Sequence, residues 1–88
     1  MIKPTVGRVV WFWERAEAKK AENAQPQAAQ VVYVWSDRMV NLTVSDHNGF
    51  VTPRTSIRLV QEGDPEPDYA FCEWMPFQVG QAKAQAAK

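Results

Sequence analysis

Cys72 and His47 are the one thiol and one imidazole in this sequence, the pair from which a nucleophile and its base would have to come. His47 stands between Asp46 and Asn48 just ahead of Gly49, a composition that a turn demands without any catalytic role. Cys72, between Phe71 and Glu73, has the setting of a small buried residue, a use to which free cysteine is often put. A lone thiol excludes an intrachain disulfide, and one His with one Cys falls short of the usual metal-ligand set. Glu62, Asp64, Glu66 and Asp68 recur at every second position, which superficially suits a cation. The interleaved Gly63, Pro65 and Pro67 make a stiff extended segment that does not wrap an ion, so a solvated acidic loop is expected. The glycines at 7, 49, 63 and 80 are scattered, and none builds a phosphate cradle. The sequence therefore predicts no catalytic residue, no metal and no cofactor, and reads as a non-enzyme.

The aromatic residues are the feature with functional content. Four Trp, four Phe and two Tyr serve a chain that has only two Leu and two Ile. Trp11, Trp13, Tyr33 and Trp35 fall on matching parities of two strand-like segments. If those segments are neighbours, the four form either part of the core or one aromatic face. Val10 and Phe12 occupy the other parity of the first segment, and a small barrel has a single interior. One set must therefore lie outside it: exposed, covered by another part of the chain, or buried in a partner. Trp74 and Phe77 flank Met75-Pro76, a terminal segment able to supply that cover. Trp and Tyr are the residues that most often anchor interfaces, so these six are the candidate binding residues.

Composition bounds the remaining possibilities. Eighty-eight residues allow one domain, only marginally stable alone. Ten basic and ten acidic residues leave a net charge of zero, without the electrostatic footprint of a protein that holds a phosphate backbone. No run approaches the length of a membrane span, and no leader pattern is present, which predicts a protein of a reducing, cytoplasmic compartment.

Elements follow from periodicity. Strands are expected over Val6–Trp13, Gln30–Trp35, Met39–Ser45, the stretch ending at Val60, and Tyr69–Trp74. Val40, Leu42 and Val44 alternate with polar residues, as do Ile57 and Leu59, which commits these five to the core. Asn48-Gly49 marks the hairpin between them. Gly7 suggests a bend, and Pro53 places its part of the fourth strand at an edge or bulge. Within Glu14–Ala29, Glu14–Ala24 has helix propensity but no apolar face beyond alanines, which favours a mobile loop over a solvated helical turn, and Pro26 ends any helix there. Gly80–Lys88 is low in complexity and expected to be a disordered tail beyond a single domain of residues 1–79.

Five short strands, a long first loop, tight connections through the middle three and a final strand after a longer loop predict an all-β fold. The order resembles the small SH3-like barrel or roll. An OB-type barrel is the main competitor, but no segment supplies the helix it places between its third and fourth strands.

A second resemblance lies in the segments GRVVWFW, VWSDRMVNLTVSDHNG, RTSIRLVQEGD and CEWMPFQVGQA. Together they resemble a group of short, functionally uncharacterised proteins of tailed bacteriophages and prophages, over most of the chain outside Glu14–Gln27. The resemblance implies a phage or prophage origin and action in the cytoplasm of a bacterial host, with virion association as an alternative. It implies no activity and no site residues. Protein binding or assembly through the aromatic residues, including self-association as a homodimer, is the expected function. The alternative is a nucleic-acid-binding barrel that stacks bases on the same aromatics, with Arg8, Arg38, Arg54 and Arg58 on phosphates.

Overall fold

The computed structural model describes residues 1–86. Among them, β1 (Val9–Trp13), β2 (Gln27–Ser36), β3 (Met39–Ser45), β4 (Val51–Val60) and β5 (Phe71–Glu73) close into one barrel. Helix α1 (Ala16–Lys20) lies between β1 and β2, and helix α2 (Pro76–Ala86) follows β5. β1 is antiparallel to both β2 and β5, β2–β3–β4 form a meander, and β5 closes the barrel parallel to the end of β4. This is the all-β, five-stranded small barrel that the strand order predicts, connected in the SH3-like way.

Alternation decides what fills it. Val40, Leu42, Val44, Ile57 and Leu59 are all buried, and they meet Val10, Phe12, Val31, Cys72 and Trp74 in one cluster. Each large apolar side chain removed from water there contributes about 1.5–3 kcal/mol. In the hairpin turn, Asp46 Oδ1 accepts the N–H groups of Asn48 at 2.8 Å and Phe50 at 2.9 Å, and Gly49 takes a φ of 87°. That conformation carries no steric cost for glycine.

Pairing departs from regularity at three places, two between β2 and β3 and one between β3 and β4. Val40 pairs with Ile57 but Leu42 with Arg54, so β4 carries an extra residue. Ser56 absorbs it at a φ of 55°, and its N–H donates to Asn41 Oδ1 at 2.7 Å. Asp46 N–H donates to Phe50 O at 2.9 Å. Counting onward by antiparallel alternation places the bonded pair at Val44 and Thr52, so Pro53 turns its donorless nitrogen to the free edge. The sequence expectation of an edge there holds.

Both flanking segments differ from expectation. Residues 14–29, expected as a mobile loop, contain α1 and the first turn of β2, which starts at Gln27 and not at Gln30. The physical reason is packing: Ala16, Ala18 and Ala24 lie against buried Trp13, Val60 and Phe71, so the alanines are the apolar face. Gly80 to Ala86, expected as disordered tail, belongs to α2, and the domain boundary expected after Val79 falls inside that helix. Pro76 suits a first helical position, and Ala, Gln and Lys sustain the rest. Met75 N–H donates to Gln78 Oε1 at 2.7 Å, and Gln78 Nε2 donates to Val9 O at 2.8 Å, tying the helix to β1. Ala87 and Lys88 lie outside the described residues.

Gln61, just beyond β4, is the buried polar side chain among the described residues. Its Oε1 accepts Ile2 N–H at 3.1 Å and Trp74 Nε1–H at 3.2 Å. Its Nε2 donates to Ile2 O at 2.9 Å and Asp37 O at 2.8 Å. Truncation strands all four partners. Gln61→Ala is therefore expected to cost about 2–4 kcal/mol in urea unfolding, while exposed Gln30→Ala stays within about 0.5 kcal/mol.

Candidate functional site

The six aromatic candidates part company in the folded chain. Trp74 is 4 % exposed in the main core, and Trp13, at 5 %, is sealed beneath the first loop. Trp11 is half-buried on the outside of β1. Tyr33 and Trp35 stand 50 % and 59 % exposed on β2, and Phe77 is 72 % exposed on α2. The single face expected of Trp11, Trp13, Tyr33 and Trp35 is not formed. Register is the reason: Trp11 pairs with Ala28, and β1 pairs only with the first part of β2, so Tyr33 and Trp35 lie beyond its end. A bulge decides which way they face. Val31 pairs with Leu42 but Tyr33 with Asn41, so the parity of β2 reverses between them. Val31 points in, and Tyr33 and Trp35 point out. Met75-Pro76-Phe77 does not supply the cover expected of it either, since Phe77 is exposed and the first loop does that work.

The cover over Trp13 is pinned electrostatically. Trp13 Nε1 donates to Glu73 Oε2 at 2.6 Å, and Lys19 Nζ donates to Glu73 Oε1 at 2.9 Å. Lys19 also pairs with Glu66 and lies 5.7 Å from the Phe71 ring centroid. Partial burial pulls the ammonium pKa down, but the two carboxylates outweigh it and hold it above its ordinary value.

What remains open is the outer face of β1 through β4. Trp11, Ala28, Ser45 and Val51 form one cross-strand row. Val9, Gln30, Thr43 and Pro53 form the next. Beyond them Tyr33 pairs with Asn41. None of these residues is charged. The small side chains of Ala28, Thr43 and Ser45 floor a shallow depression, with Val9 and Val51 at its margins. Tyr33 and Trp35 meet edge to face with ring centroids 4.7 Å apart. Trp35 Nε1 donates to Asn41 Oδ1 at 3.0 Å, the same oxygen that holds the Ser56 bulge. The bulge thus fixes the indole.

Sequence reading found Tyr33 and Trp35 as residues but missed the depression. Ala28 was placed in a loop, and only register aligns it with Ser45 and Val51. The uncharged alternation of Asn41, Thr43 and Ser45 was the available signal.

The other candidates are accounted for structurally. His47 is exposed in the hairpin turn and Cys72 is buried in the core, so they are not a nucleophile and base in one site. The acidic loop is more engaged than a solvated one. Asp64 receives Arg38 Nε at 2.8 Å and Nη2 at 3.2 Å, and these bonds, helped by Gln61 N–H, hold its carboxyl below the usual value. Glu62 pairs with Lys83 and Glu66 with Lys19. Among the described residues no group of three or more His, Cys, Asp or Glu could hold a metal ion. Among them, too, no helix is long and apolar enough to cross a membrane.

Arg38 and Arg58 both act on the Asp64 carboxylate, while the other two arginines lie over aromatic rings. Arg54 pairs with Glu14 at 3.0 Å and lies 5.9 Å from the Phe12 ring centroid, and Arg8 lies 5.8 Å from that of Trp74. No protein-family model matches the chain, and no curated protein or solved structure matches it.

Two measurements check these placements. Trp13→Ala should destabilise by about 3–5 kcal/mol, whereas Trp35→Ala should cost no more than about 1 kcal/mol. Burial pushes the Cys72 thiol up to about 12, against about 8.5 for a free thiol. The folded pKa lies above the unfolded one, so this contribution to stability is complete below the unfolded value and is lost as pH rises toward the folded one. Ellman's reagent at mildly alkaline pH should leave the native thiol untouched and titrate it once guanidinium unfolds the chain.

Proposed function

We propose that the chain is a non-catalytic binding module that contacts another protein chain through the outer face of β1–β4, at the two uncharged cross-strand rows between Glu73 and the free edge of β4. The observation that carries this reading is the exposed Tyr33–Trp35 pair, fixed through Asn41 at the border of those rows. Solvent-facing strands normally carry charges that keep them from sticking, and their absence over a contiguous patch marks an interaction surface. Tyr and Trp supply large contact area at low entropic cost, and a pre-fixed indole loses less on binding. The resemblance to short tailed-phage proteins is the ground for setting this module in a bacterial cell, in phage assembly or in control of a host protein. Nucleic acid fits less well, because Arg38 and Arg54 are already paired with carboxylates.

The test is capture by the immobilised full chain from a bacterial lysate supplemented with the untagged chain. The parent should retain a protein, and Tyr33→Ala/Trp35→Ala, equally folded by circular dichroism, should weaken that capture by about 30-fold or more. Single- and double-stranded DNA should pass through at low salt. Steeply salt-dependent DNA retention, or equal capture by the variant, would overturn the reading.

A further inference from the structure

Resting on that reading of the face, we infer that its occupant is a second copy of this chain, packed sheet against sheet about a two-fold axis. A two-fold interface sets one patch against itself, so the patch must be its own complement in charge and in shape. Charge is the harder condition, because any ionised side chain near the axis meets its own like-charged copy. The chain carries twenty ionisable Lys, Arg, Asp and Glu side chains, yet none occurs in the cross-strand rows from Val9 and Trp11 to Val51 and Pro53. The net charge of zero adds no long-range repulsion between copies.

Shape meets the same condition. The floor of Ala28, Thr43 and Ser45 is a hollow, and Val51, 61 % exposed, with half-buried Trp11 stands beside it in the same row. One face thus offers both the projection and the recess that receives it. Val51 of each copy can enter the other's hollow beside the exposed Gln30 side chain that also lines it. Four strand widths of about 4.8 Å and about six residues along β2 and β3 set a projected face of roughly 19 by 20 Å, narrower at β1, whose five residues end at the covered Trp13. That is below the roughly 800 Å² per partner typical of specific interfaces. Pairing through the free edge of β4 is the less suitable route, since Pro53 presents no donor there. The area implies a modest association that depends on protein concentration.

Sedimentation equilibrium of the full chain, from about 10 µM to about 1 mM, reads this directly. The weight-average mass should climb from 10.0 kDa toward twice that value. Ala28→Arg fills the hollow and sets charge against charge, and should hold the mass at the monomer value across the range with an unchanged thermal melt. Ser45→Arg serves the same purpose should Ala28→Arg lower the melting temperature. Phe77→Ser, on α2 outside the cross-strand rows, should dimerise as the parent does. A parent that stays monomeric at the highest concentration overturns the second copy. So does a dimer indifferent to both arginine substitutions. If the monomeric parent still captures a lysate protein that Tyr33→Ala/Trp35→Ala loses, the proposed binding face stands and only the occupant is wrong.

Discussion

The Gln61 side chain ties the end of β4 to three distant parts of the chain. A primary amide has two donor hydrogens and an acceptor oxygen, and here all of that capacity is spent on groups far apart in sequence: both backbone polar groups of Ile2, the carbonyl of Asp37 and the indole of Trp74. The strand before it, the turn between β2 and β3, the N-terminal segment and the chain leaving β5 are thereby held to one point. Buried and fully satisfied, the amide adds stability; deprived of one partner, it would become a liability in the same low-dielectric setting. Asp64 extends the arrangement outward by accepting Gln61 N–H and the Arg38 guanidinium together. The acidic loop is therefore a clasp between β4 and the β2–β3 turn.

A second constraint comes from β1, which carries more apolar side chains than one interior can hold. The structure divides the surplus along the strand. At one end, alanines of the first loop cover Trp13, with Lys19 bridging Glu66 and Glu73 over Phe71. Toward the other end Trp11 is only half-covered and Val9 is exposed. The boundary follows the reach of the loop, since α1 spans only Ala16–Lys20 and Pro26 then directs the chain into β2. The uncharged rows begin where this cover stops, so the loop that completes the fold also delimits the surface left for binding.

Much of this was legible residue by residue. The alternation in Val40, Leu42 and Val44 and in Ile57 and Leu59 reported burial correctly because each strand has one wet side and one dry side, and side-chain period alone then sorts them. Cys72 was legible as a buried residue for the same local reason. Tyr33 and Trp35 were misread as neighbours of Trp11 and Trp13, because register sets Ala28 beside Trp11; that they face outward at all depends on a single extra residue near Val32, which inverts parity and leaves no mark in composition. The Glu14–Ala29 segment was misread because alanine is apolar enough to cover an aromatic ring yet too small to register as an apolar stripe.

The sequence by itself determined the all-β class, the strand order, the hairpin and the aliphatic core positions of β3 and β4, since these depend on local period and on turn residues such as Gly49. Tertiary structure decided which aromatics are buried, where the first loop lies and that Ala28, Thr43 and Ser45 align into a hollow. Those outcomes depend on register across strands, on the bulges and on which surface a covering segment reaches. All three are set by contacts between residues distant in the chain, and no local window of sequence contains them.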